Sequence, residues 1–318
     1  MKKTILILSF LCRVFNTANS LNLRRGDDAI MNDNIVEPPS SAEATASRNS
    51  LISGKDILKG AGPILVPKQK ERIVGGIEAR KGRYPYSVAI LMDPELSPVD
   101  DDEISEEDLT ICGGSLIASE WVLTAAHCYG LGNRVQIGRH DFADTNETLN
   151  INYEEHEIEY SIVHPSYSNI TLDFDAMLIK LKTPSLYPTI QLDDGSTPVS
   201  MESEFTIMGW GTVASFGPTS DVLLEASVDP VPFRTCFRRY SLYGGLTGNM
   251  FCAARRGTDA CQGDSGGPLI IKGGATNEDD IQIGIVSWGI GCGTGVFPGV
   301  YTRVGLLNDF INENVELS

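Results

Sequence analysis

The chain has 318 residues, 42% of them hydrophobic and 21% charged, an ordinary globular composition that excludes a fibre or a wholly disordered polymer. Its formal net charge is −17, from 42 acidic and 25 basic side chains. So acidic a chain lacks the basic face that phosphate backbones require, which removes nucleic acid from the expected partners.

Taken in chain order, the first residues read as an export signal over residues 1–20. Lys2 and Lys3 precede an apolar run at residues 4–12, and Ala18, Asn19 and Ser20 offer a small-residue cleavage site. The run is about half the roughly 20 residues needed to span a bilayer, and Arg13 ends it, so no membrane anchor is expected. Residues 21–72 form a Ser/Ala-rich tract, with Pro38 and Pro39 inside it and little periodicity. They read as a largely disordered propeptide. From Ile73 short β-branched and aromatic runs alternate with Gly, Pro, Asn and Asp breaks, at residues 86–91, 121–124, 134–137, 176–181, 204–208 and 281–288. That rhythm predicts an all-β sandwich or barrel. Residues 183–200 read as a link between two halves, and only the tail, residues 306–315, has helical apolar spacing. Residues 92–110 carry nine acidic side chains and no basic one, the signature of a solvated loop.

Seven cysteines are present, and Cys12 leaves with the signal. The remaining six, Cys112, Cys128, Cys236, Cys252, Cys261 and Cys292, are an even set in an exported chain, so disulfides are the default reading, with about 15 possible pairings. A zinc site is disfavoured, because no CxxC pair occurs. The sequons at Asn146 and Asn169 fit glycosylated surface loops.

Chemistry concentrates at three places. Ser265 lies in Gly263-Asp264-Ser265-Gly266-Gly267, where flanking glycines leave the hydroxyl uncovered. A serine needs a base to become a nucleophile, and the base needs an orienting acid. This pattern also fits the nucleophile elbow of α/β-hydrolases, but that fold places its His after the Ser. All four histidines here precede Ser265. His127, in Thr124-Ala125-Ala126-His127-Cys128, has small neighbours and a Cys to pin it. Asp175 heads an apolar strand, and Asp173 is its local competitor.

Together with Ile73-Val74-Gly75-Gly76 and Ser287-Trp288-Gly289, these blocks resemble the trypsin and chymotrypsin family, in its order and spacing, from about Arg72 to the end. The resemblance implies two six-stranded antiparallel β-barrels, the first over about residues 73–190 and the second over about 195–303, followed by a short C-terminal helix. It implies a catalytic Ser265, His127 and Asp175, with an oxyanion hole from the N–H groups of Gly263 and Ser265. It further implies cysteine pairs 112–128, 236–252 and 261–292. Asp259 takes the pocket floor beside Ala260, Gly289 and Gly299 keep the pocket open, Ser287 to Gly289 pair with substrate backbone, and Leu172 lines the second subsite. Activation by cleavage between Arg72 and Ile73 frees an α-amine that pairs with Asp264.

The implied enzyme is a secreted, extracellular, monomeric endopeptidase that cuts protein and peptide substrates after basic residues and meets protein inhibitors. It needs no cofactor and no metal. Many trypsins bind calcium in a loop that here begins Gly138-Arg139-His140, and Arg139 opposes a cation there. The alternative is a catalytically inactive homologue acting as a binding module. It is disfavoured because all three catalytic residues and the activation sequence are kept.

Overall fold

A computed structural model describes residues 76–92, 110–144, 153–212, 219–256, 263–291 and 296–315. The expected signal and propeptide, the Arg72–Ile73 junction and the acidic run at 93–109 lie outside the described residues. So do Asn146, Asp259, Ala260, Cys261 and Cys292.

Six strands close the first barrel: β2 (Ser87–Met92), β3 (Thr110–Ala118), β4 (Trp121–Thr124), β5 (Gly132–Ile137), β6 (Glu154–Val163) and β7 (Met177–Leu181), in the spatial order β2-β3-β4-β7-β6-β5. Its core is apolar, built from residues such as Leu116, Val122, Leu123, Ile137 and Leu178, all fully buried. Strand β1 (Ile77–Glu78) does not belong to it. Ile77 pairs with Glu225 in β10 (Leu224–Val231), so the first described strand lies on the second barrel, and the first barrel's own described strands begin at Ser87.

The second barrel is the ring of β9 (Phe205–Gly209), β10, β11 (Met250–Ala254), β14 (Gly299–Arg303), β13 (Ile281–Trp288) and β12 (Pro268–Ile271), which returns to β9. Every pairing within both rings is antiparallel. A two-residue strand β8 (Gln191–Leu192) lies parallel to β13. It comes from the stretch expected to be a link, which is fastened to both sides. Ile190 N–H donates to the Leu116 carbonyl at 3.0 Å and Asp193 N–H to the Gln282 carbonyl at 3.0 Å.

Two helices are described, α1 (Phe233–Tyr240) and α2 (Asn308–Asn314). The tail helix α2 falls within the expected 306–315, and its buried Phe310 and Ile311 pack into the first barrel's core. The expectation of a single helix is corrected by α1. Its apolar residues at 233, 236, 237 and 240 do follow helical spacing, but eight residues are too few for periodicity to stand out. A bridge from Cys236 to Cys252 pins it to β11. The described ends are therefore exchanged: the first described strand is sewn onto the second barrel and the terminal helix onto the first.

Candidate active site

His127 lies in one 3-10 turn, Ala126–Cys128, directly after β4. Ala125 and Ala126 are buried, and their small side chains let the turn sit against the barrel. The Cys112–Cys128 disulfide ties this turn to β3, with Cα atoms 6.4 Å apart. Asp175 is fully buried just before β7. Its Oδ2 accepts the His127 Nδ1 hydrogen at 2.8 Å, and its Oδ1 accepts the His127 backbone N–H at 2.9 Å. An ionised carboxylate only accepts, so the Nδ1 proton is fixed and Nε2 is left as the acceptor, on a side chain 25% exposed. Burial, followed by the Asp175 charge, pushes the Tyr167 hydroxyl up to about 12.

Asp173, the competitor, is committed elsewhere. Its Oδ1 accepts from Thr247 Oγ1 at 2.6 Å and Asn249 Nδ2 at 2.9 Å, both in the second barrel. The two residues flanking it, Leu172 and Phe174, have φ of 55° and 49°, unusual for large side chains.

Ser265 is half-buried in a turn before β12. Gly263 and Gly266 on either side have φ of 93° and 82°, which L side chains avoid. A Cβ on Gly266 would lie 2.2 Å from Thr124 Oγ1 and 2.6 Å from the Gly113 carbonyl oxygen, so the turn touches the first barrel's backbone. Gly113 N–H donates to the Ser265 carbonyl at 2.7 Å, and Cys128 Sγ lies 4.0 Å from that oxygen. Ser265 is thus joined to His127 through one backbone bond and one disulfide. Asp264, next to the nucleophile position, is buried, and its Oδ1 accepts the Gly211 N–H at 2.9 Å.

Along β13, Trp288 meets the Tyr240 ring with centroids 4.7 Å apart, and Leu172 packs in the same cluster. A Cβ on Gly289 would lie 3.9 Å from the Gly299 Cα, so these glycines face one another. Asn169 is exposed, and its neighbour Ile170 is 90% exposed.

One feature was not read from the sequence. Ser287, expected only as a backbone partner for substrate, donates its hydroxyl to Asp175 Oδ2 at 2.5 Å. A hydroxyl inside an otherwise buried strand must find an acceptor, and that signal was present. Arg139 is buried over the rings of Tyr153 and Phe142, 4.0 and 5.2 Å from their centroids, so a cation already fills this part of the loop. Cys112, His127 and Cys128 bring potential metal ligands within 4.8 Å, but both sulfurs are spent in the disulfide.

The trypsin family model matches residues 73–311. Trypsin-4 of Rattus norvegicus is 37% identical over 262 residues, covering 80% of this chain and 95% of that protein. Trypsin 5G1 of Aedes aegypti is 33% identical over 251 residues, covering 76% and 84%. Among solved structures, neuropsin, a serine protease expressed in the limbic system of mouse brain, aligns with a TM-score of 0.62 at 31% identity, covering 76% of this chain and 99% of its own. With the family model matched over residues 73–311, and with two closed six-stranded barrels meeting beside the His127–Asp175 pair, the chain is a serine endopeptidase belonging to the trypsin family.

Proposed function

We propose that this chain is a secreted zymogen whose cleavage between Arg72 and Ile73 releases an endopeptidase that cuts after Arg and Lys. The observation that carries this reading is the His127–Asp175 pair, 2.8 Å apart. In this reading Ser265 attacks the scissile carbonyl, His127 Nε2 takes its proton, and the same nitrogen returns the proton to the leaving amine. Water then repeats the sequence on the acyl-enzyme, while Asp175 stabilises the imidazolium. The N–H groups of Gly263 and Ser265 receive the developing oxyanion, each worth on the order of 3 kcal/mol.

Specificity rests on Asp259. An unpaired carboxylate in a closed pocket is costly, so it selects a cationic side chain. Beside it stands Ala260, without a hydroxyl to complete the hydration of a lysine ammonium. Arginine's fork satisfies the carboxylate unaided, so Arg is preferred over Lys. Facing glycines at 289 and 299 leave the passage open, Ser287 to Gly289 pair with the substrate backbone, and Leu172 bounds the second subsite. Residues 1–20 are removed on export, residues 21–72 dissociate after cleavage, and the Ile73 α-amine pairs with Asp264. The mature domain, residues 73–318, acts as an extracellular monomer on protein substrates and is open to protein inhibitors. Its sequons at Asn146 and Asn169 carry glycans.

The test is chemical. Active material should begin at Ile73, bind one equivalent of a serine-directed covalent inhibitor, and cleave a peptide with Arg at the scissile position faster than its Lys twin. The Arg72→Gln chain should stay inactive. A different mature N-terminus overturns the activation scheme. A cleaved chain that takes up no inhibitor leaves the inactive binding homologue as the correct reading.

A further inference from the structure

The face around α1 opposes the rest of the chain in charge. Between Pro230 and Thr258 lie five arginines and no acidic residue, in a protein with 42 acidic side chains; Arg255 is spent on Asp229 and Glu204, so Arg234, Arg238 and Arg239 on α1 carry the charge of this face. Helix stability does not explain these arginines. Arg238 and Arg239 suit the negative end of the helix, but Arg234 sits in its first turn, where the dipole favours an acid and none is present. Arg234 and Arg238 are exposed and have no ion-pair partner among the described residues.

Apolar exposure coincides with this charge. Cys236 and Tyr240 anchor the helix inward. Phe233 and Phe237 stack on each other with centroids 6.0 Å apart and are each 44% exposed. Leu242 and Tyr243, in the turn that follows, are 90% and 50% exposed. The patch is continuous with the substrate channel, because Tyr240 meets Trp288 and Tyr243 meets Phe297 in the cluster that also holds Leu172.

We propose that α1 and its following turn form a second binding surface that captures an acidic, aromatic-rich stretch of a protein substrate, several residues N-terminal to the scissile bond. This rests on the proposed substrate orientation along Ser287 to Gly289. Charge complementarity selects the acid, and the stacked phenylalanines select the aromatics. An anionic membrane is the other conceivable occupant. It is an extended plane that would face much of a mature domain, residues 73–318, with 35 acidic against 14 basic side chains, whereas an extended peptide strand feels only what lies within a Debye length, about 8 Å at physiological salt.

The experiment compares two peptides that share Arg at the scissile position and differ only five to eight residues upstream, Asp-Phe-Asp-Tyr against Ser-Gly-Ser-Gly. The activated enzyme should cleave the acidic peptide with kcat/KM about 3- to 10-fold higher at low salt, and the advantage should shrink as salt rises. Arg234→Glu combined with Arg238→Glu, and separately Phe233→Ser combined with Phe237→Ser, should each remove most of that advantage. A three-residue Arg p-nitroanilide should be cleaved at the wild-type rate by both variants, which also shows them folded. Equal cleavage of the two peptides by the wild type, or a preference that survives in both variants, overturns the proposal. So does arginine-dependent binding to phosphatidylserine vesicles with the two peptides cleaved equally. Failure on the short arginine substrate itself overturns the proposed specificity first, and this surface's role with it.

Discussion

Both barrels close with six strands, yet they meet each other with different chemistry. The second barrel brings a row of buried polar side chains to the seam: Asp280, Gln282 and Ser287 on or beside β13, and Thr302 on β14. Each is matched by a group on the first barrel's side. Asp280 takes both Arg83 guanidinium nitrogens, at 2.5 and 2.8 Å, and the Tyr86 hydroxyl at 2.7 Å. Gln282 Oε1 accepts from Ser115 at 2.6 Å, and Ser287 and Thr302 hold the Asp175 carboxylate and carbonyl. The first barrel answers at the Ser265 turn with the Gly113 backbone and the Thr124 hydroxyl. Apolar burial can close each barrel but is non-directional. The directional bonds fix how one barrel sits on the other, and so where Ser265 stands relative to His127. Asp175 of the first barrel and the Ser265 turn of the second are each gripped by the other barrel.

The largest expected effect comes from breaking the charged end of that seam. Arg83→Ala leaves Asp280 buried with its main counter-charge gone, and should destabilise the protein by about 3–5 kcal/mol in urea unfolding. In the wild type the bonds to Asp280 raise the Arg83 pKa above its ordinary value, so Arg83 stays charged at every accessible pH. If the urea midpoint is unchanged, the polar row does not hold the barrels together.

Next comes the reverse side of the seam. Gly266→Ala introduces a Cβ where φ is 82° and the nearest atom is 2.2 Å away. The left-handed strain costs about 1–2 kcal/mol and the overpacking about 1–3 kcal/mol. The turn must retreat from the first barrel, so kcat should fall along with stability. A variant with normal kcat would show that Ser265 tolerates a displaced turn.

Ser287→Ala separates positioning from stability. A hydrogen bond to a charged group contributes about 1.5–3 kcal/mol, and here it acts on the residue that orients His127. The variant should fold normally, keep its KM and lose about tenfold or more in kcat. A loss carried by KM alone would mean that Ser287 serves substrate binding instead.

How far the sequence spoke follows the same division. Residues 121–124 and 281–288 coincide with β4 and β13, because their apolar runs are buried on both faces and need no context to be recognised. The charged strand β6, with four glutamates at 154, 155, 157 and 159, was not foreseen, since its outward face is polar and its inward face carries His156. The pairing of His127 with Asp175 was legible because both residues lie in short distinctive blocks. Their long-range partners were not. Nothing near Ser287 or Thr302 in the sequence reveals that Asp175, more than a hundred residues away, depends on them for its carboxylate and its carbonyl. Asp173 and Asp175 differ by two positions; the sequence favoured Asp175, but what occupies Asp173 instead, Thr247 and Asn249, was not legible.

The smallest effect concerns a contact away from the seam, where the first barrel receives the terminal helix. His164 is buried, stacked on Phe174 at 4.5 Å with planes 6° apart, and meets Phe310 of α2 edge-on at 4.7 Å. Its Nδ1 accepts the Ser166 N–H at 3.1 Å, which puts the proton of the neutral ring on Nε2. Burial lowers its pKa below the ordinary 6.5, and the Asp173 charge only partly opposes this. The folded state therefore prefers the neutral ring, while the unfolded chain takes up a proton near pH 6.5. Between those two pKa values the unfolded state binds more protons, so stability rises with pH. The contribution is complete above about 6.5 and is lost as pH falls through the folded value. His164→Phe keeps the apolar contact and removes the titration. Urea midpoints of both proteins from pH 7.5 to 5 should diverge below 6.5, with the wild type losing more, because every other titrating group is common to both. Parallel curves would mean that water reaches the ring in the folded state. The helix would then be anchored by Phe310 and Ile311 alone, and the first barrel would have one apolar contact fewer to set against the polar seam.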